Sequence, residues 1–282
     1  MSRPADAVIE FLESEKARGV SHVFLDEGAR EGLRQLIRRS QTKPATGDQG
    51  PQPALKSSPL PAAAVPTKVS TEGTSKAARL DSLRRQAESW APAKALGTLR
   101  ETMVFATGNP DARIMLVGEA PGYEEEKKRE PFVGPAGQKL DDILKAMGLS
   151  REEVYISNLV KFRPATPRQT TNNRKPSPEE IAACLPFIRA EIGIVRPACI
   201  VALGGTAAEG LLGLTGQVVA MRDSWHEFDG IPVRVSYHPS YLLQSGANLS
   251  IKRQVWEDLL AVMERLGMPV SEKQRGFFLP KA

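Results

Sequence analysis

Four short apolar runs constrain this chain more than any other feature: Ile114-Met115-Leu116-Val117, Val154-Tyr155-Ile156-Ser157-Asn158, Ala198-Cys199-Ile200-Val201-Ala202-Leu203 and Ile231 to Tyr237. Each is too short for a buried helix, and each is followed by turn residues and a helical pattern. Gly137 to Met147 places Leu140, Ile143 and Leu144 on one face, and Pro178-Glu179-Glu180 opens a helix through Ile181, Leu185 and Ile188, with Ser177 as its cap. Helical patterns over Thr206 to Leu212 and Lys252 to Leu266 complete the set. Strand alternating with helix predicts an α/β fold, a three-layer sandwich with a mainly parallel four-stranded central sheet flanked by helices. Such sheets bind ligands in the loops beyond the carboxyl ends of their strands.

Residues 80–268 are expected to form this domain. Ahead of it, residues 1–40 read as a small helical arm, with Val8, Phe11 and Leu12 at helical spacing and Asp26 placed to cap a second helix. Residues 41–79 mix Pro44, Pro51, Pro53, Pro59, Pro61 and Pro66 with small polar residues; they cannot bury enough surface to offset their ordering entropy and read as a flexible linker. Residues 269–282 form a C-terminal tail. The 38 Lys+Arg against 33 Asp+Glu give a net charge of +5, which suits a polyanionic partner without requiring one. No apolar run is long enough to span a bilayer and no secretory pattern opens the chain, so a cytoplasmic protein is expected. Cys184 and Cys199 are too few for a disulfide framework, which agrees with a reducing compartment.

The strand-end loops carry the chemistry. Gly118-Glu119-Ala120-Pro121-Gly122 follows the first run, Pro131-Phe132-Val133-Gly134-Pro135-Ala136-Gly137 comes soon after, and Tyr237-His238-Pro239-Ser240-Tyr241-Leu242-Leu243 ends the fourth. A carboxylate, an aromatic ring and an imidazole thus meet at one edge of the sheet, which predicts a pocket for a flat polar molecule. Each group also has a plainer reading: Phe132 as core, Asn158 as a turn cap, His238 as a surface residue, Glu119 as a clamp on neighbouring backbone N–H groups.

These loops, with Gly108-Asn109-Pro110-Asp111-Ala112, Ile156 to Lys161, Asn173 to Glu180 and Lys252 to Leu259, occur in an order that resembles the uracil-DNA glycosylase superfamily, specifically family 4, over 100–266. The resemblance implies hydrolysis of the N-glycosidic bond of uracil in DNA, leaving an abasic site in base excision repair. It implies Glu119 and His238 as catalytic residues and Gly118, Ala120, Phe132 and Asn158 as the uracil site. Phe132 would stack on the base, Asn158 would read O4 and N3–H, and His238 would donate to O2. Lys161, Arg163, Arg174, Lys252 and Arg253 would neutralise phosphates, and Ser240, Tyr241 and Leu242 would lie against DNA, the last two as a wedge. The expected partner is uracil-containing DNA, single- or double-stranded, with no membrane, a possible protein partner for the arm, and a monomeric state.

Relatives of this kind hold a 4Fe-4S cluster with four cysteines. Here Cys184 matches one, Phe162 stands at another, and the remaining pair falls near Ala91 and Lys94. One thiolate cannot hold a cluster that needs four ligands, so no metal and no cofactor are expected, with packing around Trp90, Leu96 and Phe162 in its stead. Loss of the cluster leaves a second reading open, a non-catalytic DNA-binding or damage-sensing relative that keeps the base pocket.

Overall fold

The computed structural model describes residues 69–244 and 248–279. The arm over 1–40 and most of the linker over 41–79 lie outside the described residues. The linker ends earlier than its composition suggests, because helix α1 (Lys76–Glu88) begins within it. The Ser75 side chain accepts from the Ala78 N–H, and Leu80, Leu83 and Ala87 bury one face. A short helix α2 (Ala91–Ala95) follows, with proline in its first turn.

The central sheet has six strands, two more than the apolar runs predict. β2 (Ala106–Gly108), β3 (Ile114–Gly118), β4 (Tyr155–Asn158), β6 (Cys199–Leu203), β7 (Trp225–Phe228) and β8 (Ile231–Ser236) lie in the order β2-β4-β3-β6-β8-β7. The four inner strands are the four apolar runs and are all parallel; β2 and β7 pair antiparallel at the edges. Edge strands are covered less completely, so β2 is a short small-residue stretch and β7 mixes polar with apolar side chains. A separate ribbon joins β1 (Leu99–Met103) to β5 (Phe162–Pro164), antiparallel.

Alternation along the inner strands divides the core into two layers. Met115, Val117, Ile200, Ala202, Val233 and Val235 point to one face, which is covered by α1, α2, α5 (Pro178–Val195) and α6 (Gly205–Leu212). Ile114, Leu116, Ile156, Val201 and Leu203 point to the other, under α4 (Pro135–Met147) and α9 (Leu249–Arg265). Leu140, Leu144 and Met147 of α4 are buried there, each worth about 1.5–3 kcal/mol of apolar transfer. Short helices α3 (Tyr123–Lys128), α7 (Val218–Met221), α8 (Pro239–Gln244) and α10 (Glu272–Arg275) complete the described fold. Among the described residues no helix is long and apolar enough to cross a membrane.

Because β3, β4, β6 and β8 run the same way, the loops beginning at Gly118, Asn158, Gly204 and Tyr237 all open at one edge of the sheet.

Candidate active site

A cavity of about 260 Å³ opens at that edge, and Glu119, Ala120, Phe132, Asn158 and His238 all line it. Glu125, Asn173, Arg174 and Ser240 complete much of its wall. Gly118 sits behind them: a Cβ there would lie 2.4 Å from Asn158 Oδ1 and 2.5 Å from Phe132 Cζ. Only glycine lets the β3 backbone support both side chains.

Phe132 is buried, but in the pocket wall rather than in a helix or strand. Its φ of 55° is left-handed, a conformation that costs a non-glycine residue on the order of 1 kcal/mol or more. Surrounding bonds hold it there. Arg151 donates to Phe132 O at 3.0 Å and Pro131 O at 2.7 Å, while Val133 N and Gly134 N donate to Glu125 Oε1 at 3.0 and 2.8 Å. Gly137 lets Phe132 O approach so closely that a Cβ would stand 1.8 Å away. The other oxygen of Glu125 accepts from Gly122 N at 3.1 Å, so one carboxylate ties the two loops together. Its spacing three residues after Gly122, at the start of α3, is the sequence signal that could have identified it.

Asn158 ends β4, and its Oδ1 is buried with no hydrogen-bond partner, which makes it an acceptor awaiting a donor. The Asn158 main chain is fixed from behind. Lys161 Nζ donates to Asn158 O at 2.9 Å and Ser157 Oγ at 2.7 Å and pairs with Glu191, which also accepts from Ser157 Oγ at 2.7 Å and Tyr155 OH at 3.2 Å. Lys161 and Glu191 are both wholly buried.

His238 lies beyond β8 with its ring centroid 5.6 Å from that of Phe132, the planes tilted by 33°. The Ser240 N–H, which can only donate, is 3.2 Å from Nδ1, and Ser240 Oγ is 2.7 Å from it. Nδ1 is therefore the acceptor, and in the neutral ring the proton resides on Nε2. Burial lowers the imidazole pKa from 6.5 to about 4, against an opposing pull from Glu125. A second ion network stands behind this loop: Asp258, wholly buried, accepts from Ser236 Oγ at 2.8 Å, from Arg222 Nε at 3.2 Å and from Arg234 Nη2 at 2.8 Å. Tyr237 adds a bond to Gln254 Oε1 at 2.9 Å.

Glu119 is half-buried. Burial pushes its carboxyl above the usual range, while a hydrogen bond with Thr206 and the charge of Lys175 oppose the shift. Sequence reasoning missed Glu125 and the two ion networks, and gave Asn173 no role of its own; for the networks there was no local signal, because their partners lie on different elements.

Of the side chains expected on phosphates, Lys161 and Arg163 are buried, while Arg174 and Arg253 keep some exposed surface beside their ion pairs. Lys161 is committed to Glu191 and has no exposed surface. Arg163 is buried and bonded to Glu126, Asn173 and the carbonyls of Thr170 and Asn172. Arg174 forms a two-pronged pair with Glu180 at 2.6 and 2.8 Å. Arg253 holds Glu257 and the carbonyls of Arg275 and Phe277. Ser240 serves the histidine. Of the expected wedge, Tyr241 is exposed and stacked on Tyr237 at 5.1 Å, whereas Leu242 is half-buried and the exposed leucine is Leu243. Lys252 remains at the surface of α9, half-buried.

The positions at which the resemblance implies cluster ligands lie in or beside apolar packing. Cys184 is fully buried beside Phe187, its thiol pushed up to about 11 by burial. Trp90 donates from Nε1 to Ala183 O at 2.7 Å and meets Phe187 edge-on at 4.9 Å, and Phe162 lies in the same core. With Cys199 inside β6 the only other thiol, this donor set does not fit a four-thiolate cluster. Among the described residues no three His, Cys, Asp or Glu side chains gather as metal ligands.

Comparison with known proteins agrees with this geometry. A family model described as the uracil DNA glycosylase superfamily matches residues 105–260. The chain is 44% identical over 162 residues to a type-4 uracil-DNA glycosylase of Thermotoga maritima, covering 57% of this chain and 81% of the relative. It is 38% identical over 156 residues to one of Pyrobaculum aerophilum, covering 52% and 76%, and 35% identical over 183 residues to one of Archaeoglobus fulgidus, covering 62% and 85%.

Proposed function

The chain belongs to the uracil DNA glycosylase superfamily and is a uracil-DNA glycosylase of DNA repair; we propose that Glu119, Phe132, Asn158 and His238 carry the reaction on a uracil extruded from DNA. The observation that carries this reading is the buried, unpartnered Oδ1 of Asn158 in a pocket walled by Phe132 and His238. Uracil presents an N–H donor at N3 beside an acceptor at O4, the complement of an amide that accepts through Oδ1 and donates through its NH₂. Cytosine reverses that pair and leaves the buried oxygen facing another acceptor. Phe132 supplies the π face for the ring, worth about 1–3 kcal/mol per base.

As the bond from N1 to the sugar lengthens, negative charge gathers on the base oxygens and positive charge on the sugar. A neutral imidazole with its proton on Nε2 donates to O2 as that charge develops. One such pre-aimed donor is worth about 2.7–4 kcal/mol. The low pKa of the ring supports this role, since a neutral donor needs no prior protonation at neutral pH. Glu119 faces the same cavity, where its carboxylate positions a water for attack at the sugar carbon or balances the sugar's positive charge. Water supplies hydroxyl to the sugar, and the departing base keeps the electron pair of the broken bond and takes up a proton.

The test is excision from uracil-containing single- and double-stranded oligonucleotides, read by alkaline cleavage, with His238→Ala and Asn158→Ala beside the wild type. The wild type cleaves, and His238→Ala is slower by about 10²–10³ in kcat. Wild-type protein inert on both substrates, or His238→Ala equal to wild type, contradicts the proposal.

A further inference from the structure

The described residues expose six large apolar side chains, and all but Val219 belong to α8, the start of α9 and the C-terminal tail: Tyr241, Leu243, Leu249, Phe278 and Leu279. Of these, Phe278 lines a depression of about 190 Å³ beside α4, together with Leu242, Val255 and Trp256. Lys139 and Lys252 stand on its rim, with Asp142. Leu249 lies on the face of α9 that carries Lys252 and Val255–Trp256, at helical spacing.

Phe278 is held in place. It has a left-handed φ of 60°, yet the chain before it is anchored: Arg253 donates to Arg275 O and Phe277 O at 2.8 Å, Trp256 Nε1 donates to Gln274 O at 2.6 Å, and Gln274 Nε2 donates to Ala146 O at 2.9 Å. Phe277 packs on Trp256 at 5.2 Å, which leaves the next ring, Phe278, facing out with 41% of its surface exposed. A rigid exposed aromatic ring among apolar side chains and lysines is the form of a base-stacking platform.

We propose that Phe278 and the depression beside Leu242 form a second DNA subsite, which stacks an unpaired nucleobase flanking the extruded uridine. The inference rests on the glycosylase reading of the pocket. Continuity supports DNA as the occupant: α8 begins directly after His238, and His238 and Ser240 line the base cavity while Leu242 of the same helix lines the depression. A strand leaving the pocket across α8 meets Tyr241, Leu242 and then Phe278, with lysines beside it for its phosphates. Phe278 lies beyond the segment matched by the family model, whereas Leu242, Val255 and Trp256 lie within it.

The test compares KM for uracil excision from a trinucleotide whose uridine lies between two abasic residues, which offers a base to the pocket alone, with KM for a single strand of about fifteen nucleotides, long enough to reach a flanking stacking site. Phe278→Ala raises the ratio of long-substrate to short-substrate KM by about tenfold, the loss expected for one base–aromatic stack. Phe278→Tyr keeps the wild-type ratio, Phe278→Leu loses it, and Val219→Ala changes nothing. Equal ratios for wild type, Phe278→Ala and Phe278→Leu overturn the inference while wild-type excision still upholds the glycosylase reading. Sedimentation as a dimer that Phe278→Ala dissociates also overturns it, since a second copy then covers the face. Wild type that excises nothing from either substrate defeats the reading beneath it.

Discussion

The base pocket and the junction of α1 and α2 with α5 solve different problems with different forces. Behind the pocket, Lys161–Glu191 and Arg222–Asp258–Arg234 fix the main chain beside Asn158 and the loop leading to His238. At the junction, Trp90, Phe162 and Phe187 join the helices by apolar packing. Reading a base edge requires dipoles that point in one direction, which buried charges can impose and apolar contact cannot. Joining two helices to a third requires attachment alone, which indole and phenyl rings supply here.

The largest effect expected from breaking this contrast comes from Lys161→Met. It leaves Glu191 as an uncompensated buried charge and costs about 3–5 kcal/mol in urea unfolding. Adding Glu191→Leu restores most of that stability without restoring activity, since Asn158 O then lacks its anchor. A double variant as active as wild type would show that packing can fix this wall too. Next comes Trp90→Ala, at about 3–5 kcal/mol for a large buried aromatic. Here the damage is to stability, and the excision rate per folded molecule stays near wild type. A loss of rate larger than the loss of folded protein would show that the junction also orients the pocket.

Asn158→Asp tests direction with a smaller change. It replaces the amide donor with a second acceptor and shifts discrimination between uracil and cytosine by about 1–3 kcal/mol, read as the ratio of kcat/KM on the two substrates. An unchanged ratio would mean that the amide does not read the base.

The smallest effects are those of pH. The His238 pKa of about 4 lies below its ordinary 6.5, so the unfolded chain binds an extra proton between those values and stability falls as pH drops through that window. Excision likewise rises with pH as Glu119 ionises above the usual carboxylate range, and Glu119→Gln removes that limb. A limb that survives the substitution would assign the titration elsewhere.

The legible part of the molecule was the part written in contiguous residues. The four inner strands, the Ser177 cap and the loops carrying Glu119, Phe132 and His238 are local patterns, and the parallel sheet brings them together. Edge strands β2 and β7 were missed because half-covered strands lose the apolar run that marks buried ones. Lys161 misled for a related reason. A lysine soon after the base-reading asparagine looks like a phosphate ligand until folding brings Glu191, on α5, against it. Arg163, buried against Glu126, repeats the lesson: a basic residue becomes a surface charge or a structural brace according to partners far along the chain.

The proposed role of His238 comes down to one proton. Nitrogen-15 NMR of His238 at pH 5.5 tests it directly: the account predicts a neutral ring with the proton on Nε2 and an unprotonated Nδ1, because the pKa is about 4 and the Ser240 N–H occupies Nδ1. A ring protonated on both nitrogens at that pH, or a neutral ring with its proton on Nδ1, would contradict it.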